Sequence, residues 1–153
     1  MPFVSVTRLR VRSMRFLPFF FLNALRSQRQ VKASPGFLSG ALLPDRGWAF
    51  WTMTAWDCAE SMRRFMSSGA HKAAMPGLLE WCDEASVVHW EQAVAALPTW
   101  VEADRRMRAE GRASKVRYPS PQHATLSYEA PRVTPSRPIL PPKNRAGKES
   151  RGV

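Results

Sequence analysis

The sequence predicts an α+β domain whose elements run strand, helix, strand, strand, helix, strand, with a further helix and a polar tail behind them. Three observations predict it. Apolar side chains recur at every second position in residues 3–11 and 48–56, the period of a strand. They recur at three- and four-residue steps in residues 13–32 and 57–81, the period of a helix. Seven of the 13 prolines fall between Pro119 and Pro142, so the compact part is expected to end near residue 118. A chain of 153 residues that is 44% hydrophobic has the size and apolar content of one domain with a real core. The organisation expected is residues 1–97 as the α+β domain, 98–118 as a helix with a basic extension, and 119–153 as a Pro-rich basic tail without a fold of its own.

Phe3 to Val11 is the first strand, with Phe3, Ser5, Thr7, Leu9 and Val11 on one face and Val4, Val6, Arg8 and Arg10 on the other. Ser13 is placed to cap a helix that runs to Lys32. Its stripe is Phe16, Leu17, Phe20, Phe21, Ala24, Leu25 and Gln28, and Pro18 is tolerated in its first turn. Ser34-Pro35-Gly36 ends it. Phe37 to Leu43 is a short apolar strand in which Gly40 signals a bulge or a close approach. Pro44-Asp45-Arg46-Gly47 is turn chemistry. The third strand, Trp48 to Trp56, carries bulk on both faces, so both faces are expected to be covered.

Asp57 with Glu60 three residues on reads as a capping box for the next helix, whose stripe is Met62, Phe65, Met66 and Gly69. Ser67-Ser68-Gly69 interrupts the register, and a second helical piece covers 70–81 with Pro76 inside it. Ala85 to Glu91 returns to strand, and Asp83-Glu84 before it reads as a solvated turn. Thr99 and Glu102 open a separate surface helix that Gly111 stops.

The net charge of +11 raises solubility and nonspecific attraction to anions. It comes with no groove-reading helix motif, RNA-binding aromatic signature or zinc-finger spacing, so no specific nucleic-acid partner is expected. Cys58 and Cys82 are too few and too far apart for a disulfide framework or a metal knuckle, and suit a reducing cytoplasm. The run Phe16 to Leu25 follows arginines as a signal peptide would, yet it lacks a small-residue cleavage site. It is also too short to span a bilayer, so no transmembrane segment is expected.

The β-α-β-β-α-β order is the ferredoxin-like, or split βαβ, pattern. Two helices cover one face of its antiparallel sheet. The other face is apolar and must be covered too; two sheets pairing face to face in a homodimer would cover it.

The constellation that bears on chemistry surrounds His71. After the break at Gly69, His71, Ala74, Met75 and Leu78 share one helix face. One reading is packing alone, with Met75 and Leu78 in the core and His71 a polar residue at its rim. The other has His71 lining a pocket between the broken helix and the sheet, where an imidazole serves as acid, base or ligand near neutral pH. His89 lies outside sequence reach of His71, and no carboxylate pattern accompanies them, so no metal site is expected. There is no phosphate loop, nucleophile elbow or placed carboxylate pair.

The stretch TMTAWDCAESMRRFMSSGAHKAAMPGL resembles the third strand and second helix of the dimeric α/β-barrel superfamily, within it the antibiotic-biosynthesis-monooxygenase-like and spheroidene-monooxygenase-like proteins. The pattern is a strand ending in Trp, an acidic cap, an aromatic on the helix and a His-x-x-Ala step, and the resemblance spans residues 3–92. It implies a homodimer of ferredoxin-like subunits closing into a dimeric α/β barrel, each subunit with a pocket for a small, mostly apolar molecule. It also implies monooxygenase chemistry, with heme bound or degraded in some members. The Asn, Trp and His of heme-degrading members fall on Thr7, Phe65 and Met75, none of which keeps the type. His71, one turn earlier, would then stand as the heme ligand.

The expectation is an oxygenase-like enzyme in which His71 is acid, base or ligand and Thr7, Trp48, Phe65 and Met75 line the pocket. The alternative is a non-catalytic, ligand-holding or stress-related barrel. A third reading, attachment to a membrane surface, needs Phe16, Phe19, Phe20 and Phe21 exposed, whereas the fold reading buries most of them.

Overall fold

In a computed structural model, which describes residues 1–134 and 136–140, six strands form one antiparallel sheet. The elements are β1 (Phe3–Val11), α1 (Leu17–Ala33), β2 (Phe37–Pro44), β3 (Ala49–Trp56), α2 (Ala59–Met66), α3 (Gly69–Trp81), β4 (Cys82–Glu91), α4 (Trp100–Glu110), β5 (Arg112–Ala113) and β6 (Arg137–Ile139). Strand order is β5-β4-β1-β3-β2-β6, so the ferredoxin-like four occupy the middle and two short strands extend the edges. Helices α1, α2 and α3 cover one face.

The arginines of β1 meet the acids of β4 because the register sets Arg10 opposite Glu84 and Arg8 opposite Ser86. Arg8 pairs with Glu84 out of water, Arg10 grips Asp83 through two hydrogen bonds of 2.7 and 2.9 Å, and Arg12 reaches Glu80 at 2.9 Å. Asp83 and Glu84 are therefore strand residues, and the expected solvated turn is absent. A charge that looks solvated in one strand is buried once the opposite charge stands across the ladder.

The far face of the sheet is closed by the chain itself. Val4, Val6, Leu43, Trp51, Met53, Val88 and Trp90 pack under Trp100, Ala103 and Met107 of α4 and under Tyr128. Helix α4, expected as a separate surface helix, is thus a layer of the core. Its sequence signals hold: Thr99 Oγ1 accepts from the Glu102 amide at 3.1 Å, and Gly111 follows the last turn. The segment after it was expected to stand outside the fold. Instead Tyr128 sits between the Arg8 and Arg108 guanidinium groups, 4.2 and 4.4 Å from its ring centre, and its hydroxyl donates to Asp104 at 2.9 Å. Ser120 donates to Glu84 at 2.7 Å, and Ile139 of β6 is buried opposite Gly40. The rest of the expected tail, 141–153, lies outside the described residues. The face on which a second copy would close a dimeric barrel is occupied here by α4 and Tyr128.

Three local expectations need correction. Ser13 makes no cap bond: a single 3-10 turn over residues 14–16 intervenes, and α1 starts from Phe16. Asp57 does not cap α2 either. Cys58 holds that position, while Asp57 accepts a hydrogen bond from Ser61 that is the main cause of its lowered pKa. Of the α1 stripe only Phe20 is buried, together with Val31; Phe19, Phe21, Leu22 and Leu25 face outward.

Candidate functional site

The helix-facing side of the sheet carries bulk at both ends and small hydroxyl side chains in the middle. Phe37, Trp56 and Met62 form one cluster with Phe3 and Phe65, and Val11, Phe20 and Cys82 form another with Leu9, Phe50 and Leu78. Between them the register sets Ser5 opposite Thr54 and Thr7 opposite Thr52. These short side chains cannot fill the space beneath the helices, so a cavity of about 160 Å³ remains above them. Phe20, Asn23, Ala24 and Ser27 of α1 and Met62 and Phe65 of α2 wall it, with His71, Ala74 and Leu78 from α3.

His71 enters this cavity because the helix breaks just before it. Gly69 opens α3 at φ +57, a left-handed conformation in which an L side chain is strained. A Cβ there would also stand 3.0 Å from the Gln30 amide. Gln30 bolts the junction: its Nε2 donates to the carbonyls of Phe65 (3.2 Å) and Ser68 (2.8 Å), and its Oε1 accepts from the His71 backbone N–H (2.8 Å). One amide thus ties carbonyls at the end of α2 to a backbone donor in the first turn of α3.

The imidazole is fixed as well. His71 Nδ1 lies 3.1 Å from the Met66 carbonyl, which can only accept, so Nδ1 carries the proton and Nε2 holds the lone pair of the neutral ring. The Phe65 ring packs on it with centroids 4.9 Å apart. Burial holds the His71 pKa below its usual value, and the Met66 hydrogen bond offsets part of that effect. The site therefore presents a neutral base at neutral pH, above a floor of hydroxyls and inside apolar walls.

Of the residues expected at the site, the cavity brings together Thr7, Phe65 and His71. Trp48 and Met75 stand elsewhere. Trp48 is 41% exposed in the β2–β3 turn at φ +62, one residue before β3 begins. Met75 is 44% exposed, because α3 turns the direction of Ala74 and Leu78 inward and leaves the next position on its flank. Each helical residue advances about 100°, so an error of one step changes wall to surface. Sequence reasoning missed Gln30, which nothing in the local pattern marks. It also left Ser5, Thr52 and Thr54 unused, although their shared faces with Thr7 were legible from the alternation.

Heme does not fit this site. The cavity is close in volume to one that holds a single benzene molecule, about 150 Å³. A porphyrin is several times larger, and among the described residues no Lys or Arg lines the cavity to meet its propionates. Among the described residues, no three His, Cys, Asp or Glu side chains gather where they could hold a metal ion.

No family profile matches the chain, and no curated protein does. Solved structures do. SnoaB, a cofactor-independent oxygenase from Streptomyces nogalater, matches at a TM-score of 0.51 and 18% identity over 63% of this chain and 97% of its own. Rv0793 from Mycobacterium tuberculosis matches at 0.56 and 13% identity over 63% and 100%. An antibiotic biosynthesis monooxygenase matches at 0.53 and 11% identity over 63% and 99%. The chain has their ferredoxin-like fold. At these identities the likeness speaks for the fold alone, and the chemistry has to be argued from the cavity.

Proposed function

We propose that this chain is a monooxygenase-like protein that takes a small, mostly apolar ring compound into the cavity between α1, α2, α3 and the sheet. The observation that carries the reading is the neutral His71 ring with Nε2 bare in an apolar hollow of one-ring size. One structural neighbour, SnoaB, is a cofactor-independent oxygenase, and its fold is shared here. Such a reaction draws its electrons from the substrate. A ring methylene flanked by π systems loses a proton to His71 Nε2, and the carbanion passes electrons to dioxygen. The methylene becomes a carbonyl, one oxygen atom staying in the product and the other leaving as water. Ser5, Thr7, Thr52 and Thr54 supply hydroxyls to orient oxygen atoms on the ligand.

Oxygen uptake with a panel of one- and two-ring enolisable compounds tests this. His71→Gln is expected to lower the rate by about 10²–10⁴-fold while ligand still binds. Uptake that the substitution leaves unchanged would remove His71 from the chemistry. A second reading, a non-catalytic or stress-related binding protein, draws on the lack, among the described residues, of any carboxylate in the cavity wall to assist His71. Binding without oxygen uptake for every compound would favour it.

A homodimer belongs to the same proposal, but since α4 covers the face on which sheet-to-sheet pairing was expected, its contact would lie elsewhere. Cytoplasmic residence, which two free thiols suit, belongs to the proposal as well. No described helix is long and apolar enough to cross a membrane.

A further inference from the structure

Helix α1 has two working faces. Phe20, Asn23, Ala24 and Ser27 turn toward the cavity, while Phe19, Leu22 and Leu25, 57%, 47% and 57% exposed, form a ridge at three-residue steps on the opposite side. Phe21 stands beside Leu25 one turn back and is itself half out of the protein. These rings are held in place from within, Phe19 stacked on Trp81 with centroids 6.2 Å apart and Phe21 edge-on to Phe50 at 5.3 Å. They face outward as part of the folded structure.

The same ridge becomes cationic as it continues. Arg26 follows Leu22 by four residues, Arg29 follows Leu25 by four, and Lys32 follows Arg29 by three. Among the described residues none of these three is ion-paired. By contrast, Arg8 and Arg10 of β1 and Arg12 just after it are consumed by acids of the fold. No acidic residue occurs anywhere before Asp45. An exposed Phe/Leu ridge continuous with unpaired Arg and Lys, on a helix too short and too charged to span a bilayer, is the surface of an interfacial helix.

We infer that α1 docks the protein on an anionic lipid surface, its Phe/Leu ridge entering the headgroup boundary while Arg26, Arg29 and Lys32 meet lipid phosphates and carboxylates. Charge decides the partner. A second copy placed on this face would set one cationic block against another, which is unfavourable. Nucleic acid would satisfy the cations and leave the Phe/Leu ridge in water. This docking stands on α1 alone and does not depend on what the cavity binds.

Flotation of the full-length chain with phosphatidylcholine vesicles, with and without about one third phosphatidylserine, tests it. The chain is expected to float with the anionic vesicles, to stay behind with the neutral ones, and to be released by salt. Leu22→Ser with Leu25→Ser, and separately Arg26→Glu with Arg29→Glu, should each weaken partitioning about tenfold or more. The thermal midpoint should fall by only a few degrees in either case, since these side chains lie outside the core clusters. Failure to float with anionic vesicles would overturn the inference. So would flotation that both variants leave intact. A dimer seen by light scattering, abolished by Leu22→Ser with Leu25→Ser in the absence of vesicle binding, would assign the ridge to a second copy instead.

Discussion

The Nδ1 hydrogen of His71 is committed to the Met66 carbonyl, and the ring is sunk against Phe65, so burial depresses its pKa more than the hydrogen bond raises it. Free histidine titrates near about 6.5. Between that value and the lower folded pKa, the unfolded chain binds a proton that the native ring refuses, so stability falls as pH drops below about 6.5 and is unaffected above it. His89 adds to the same trend, its pKa lowered by burial and then by Arg112 and Arg63. Urea unfolding at pH about 5 and about 8 should therefore show a smaller acid penalty in His71→Gln than in the wild type, with part of the slope left to His89. Equal slopes would mean that His71 is not a buried neutral base. Gly69 makes a second residue-scale claim. Gly69→Ala must hold φ near +57 and push on Gln30, and is expected to cost about 1–2 kcal/mol in thermal unfolding. A neutral or stabilising result would contradict the strained junction.

At the scale of elements, α4 separates two views of the chain. If it only rode on the surface, Met107→Ala would cost no more than about 0.5 kcal/mol. Fully buried in the far-face core that includes Trp51 and Val6, it should cost about 2–5 kcal/mol in denaturant unfolding, with wild-type secondary structure retained. Strands β1 and β3 were legible because period two shows in a single segment, β2 because a short apolar run stands between turn residues, and the break before α3 because Gly and two serines interrupt a helical stripe. The start of β4 was not, since Asp83 and Glu84 are strand residues only by virtue of Arg8 and Arg10 on another strand. The cap and stop of α4 could be read locally, but its seat could not: an apolar stripe states that a helix packs and not against what. In the cavity, His71 could be reached from helical spacing and Thr7 and Phe65 through the family resemblance, whereas Met75 missed by one helical step and Trp48 by a single residue at the turn.

Across the whole molecule, the sheet is a partition. One side is closed by α4 and Tyr128 and holds the larger core; the other is left incompletely filled because its middle carries hydroxyls. Part of the large positive charge is spent inside this architecture, on the β1 pairs with β4, and part faces outward along α1. A chain ending at residue 97 would lay bare Val6, Leu43, Trp51, Met53 and Val88, and light scattering should show it self-associating relative to the full-length protein. A truncated chain as compact and as stable as the parent would contradict a far face closed from within.

The most direct measurement is of the His71 ring nitrogens by long-range ¹⁵N–¹H NMR, assigned with His71→Gln, before and after adding a one-ring phenol. The cavity as described predicts a neutral ring protonated at Nδ1 at neutral pH, with the bare Nε2 signal shifting as the phenol binds. A ring that titrates near about 6.5 and ignores the phenol would contradict it.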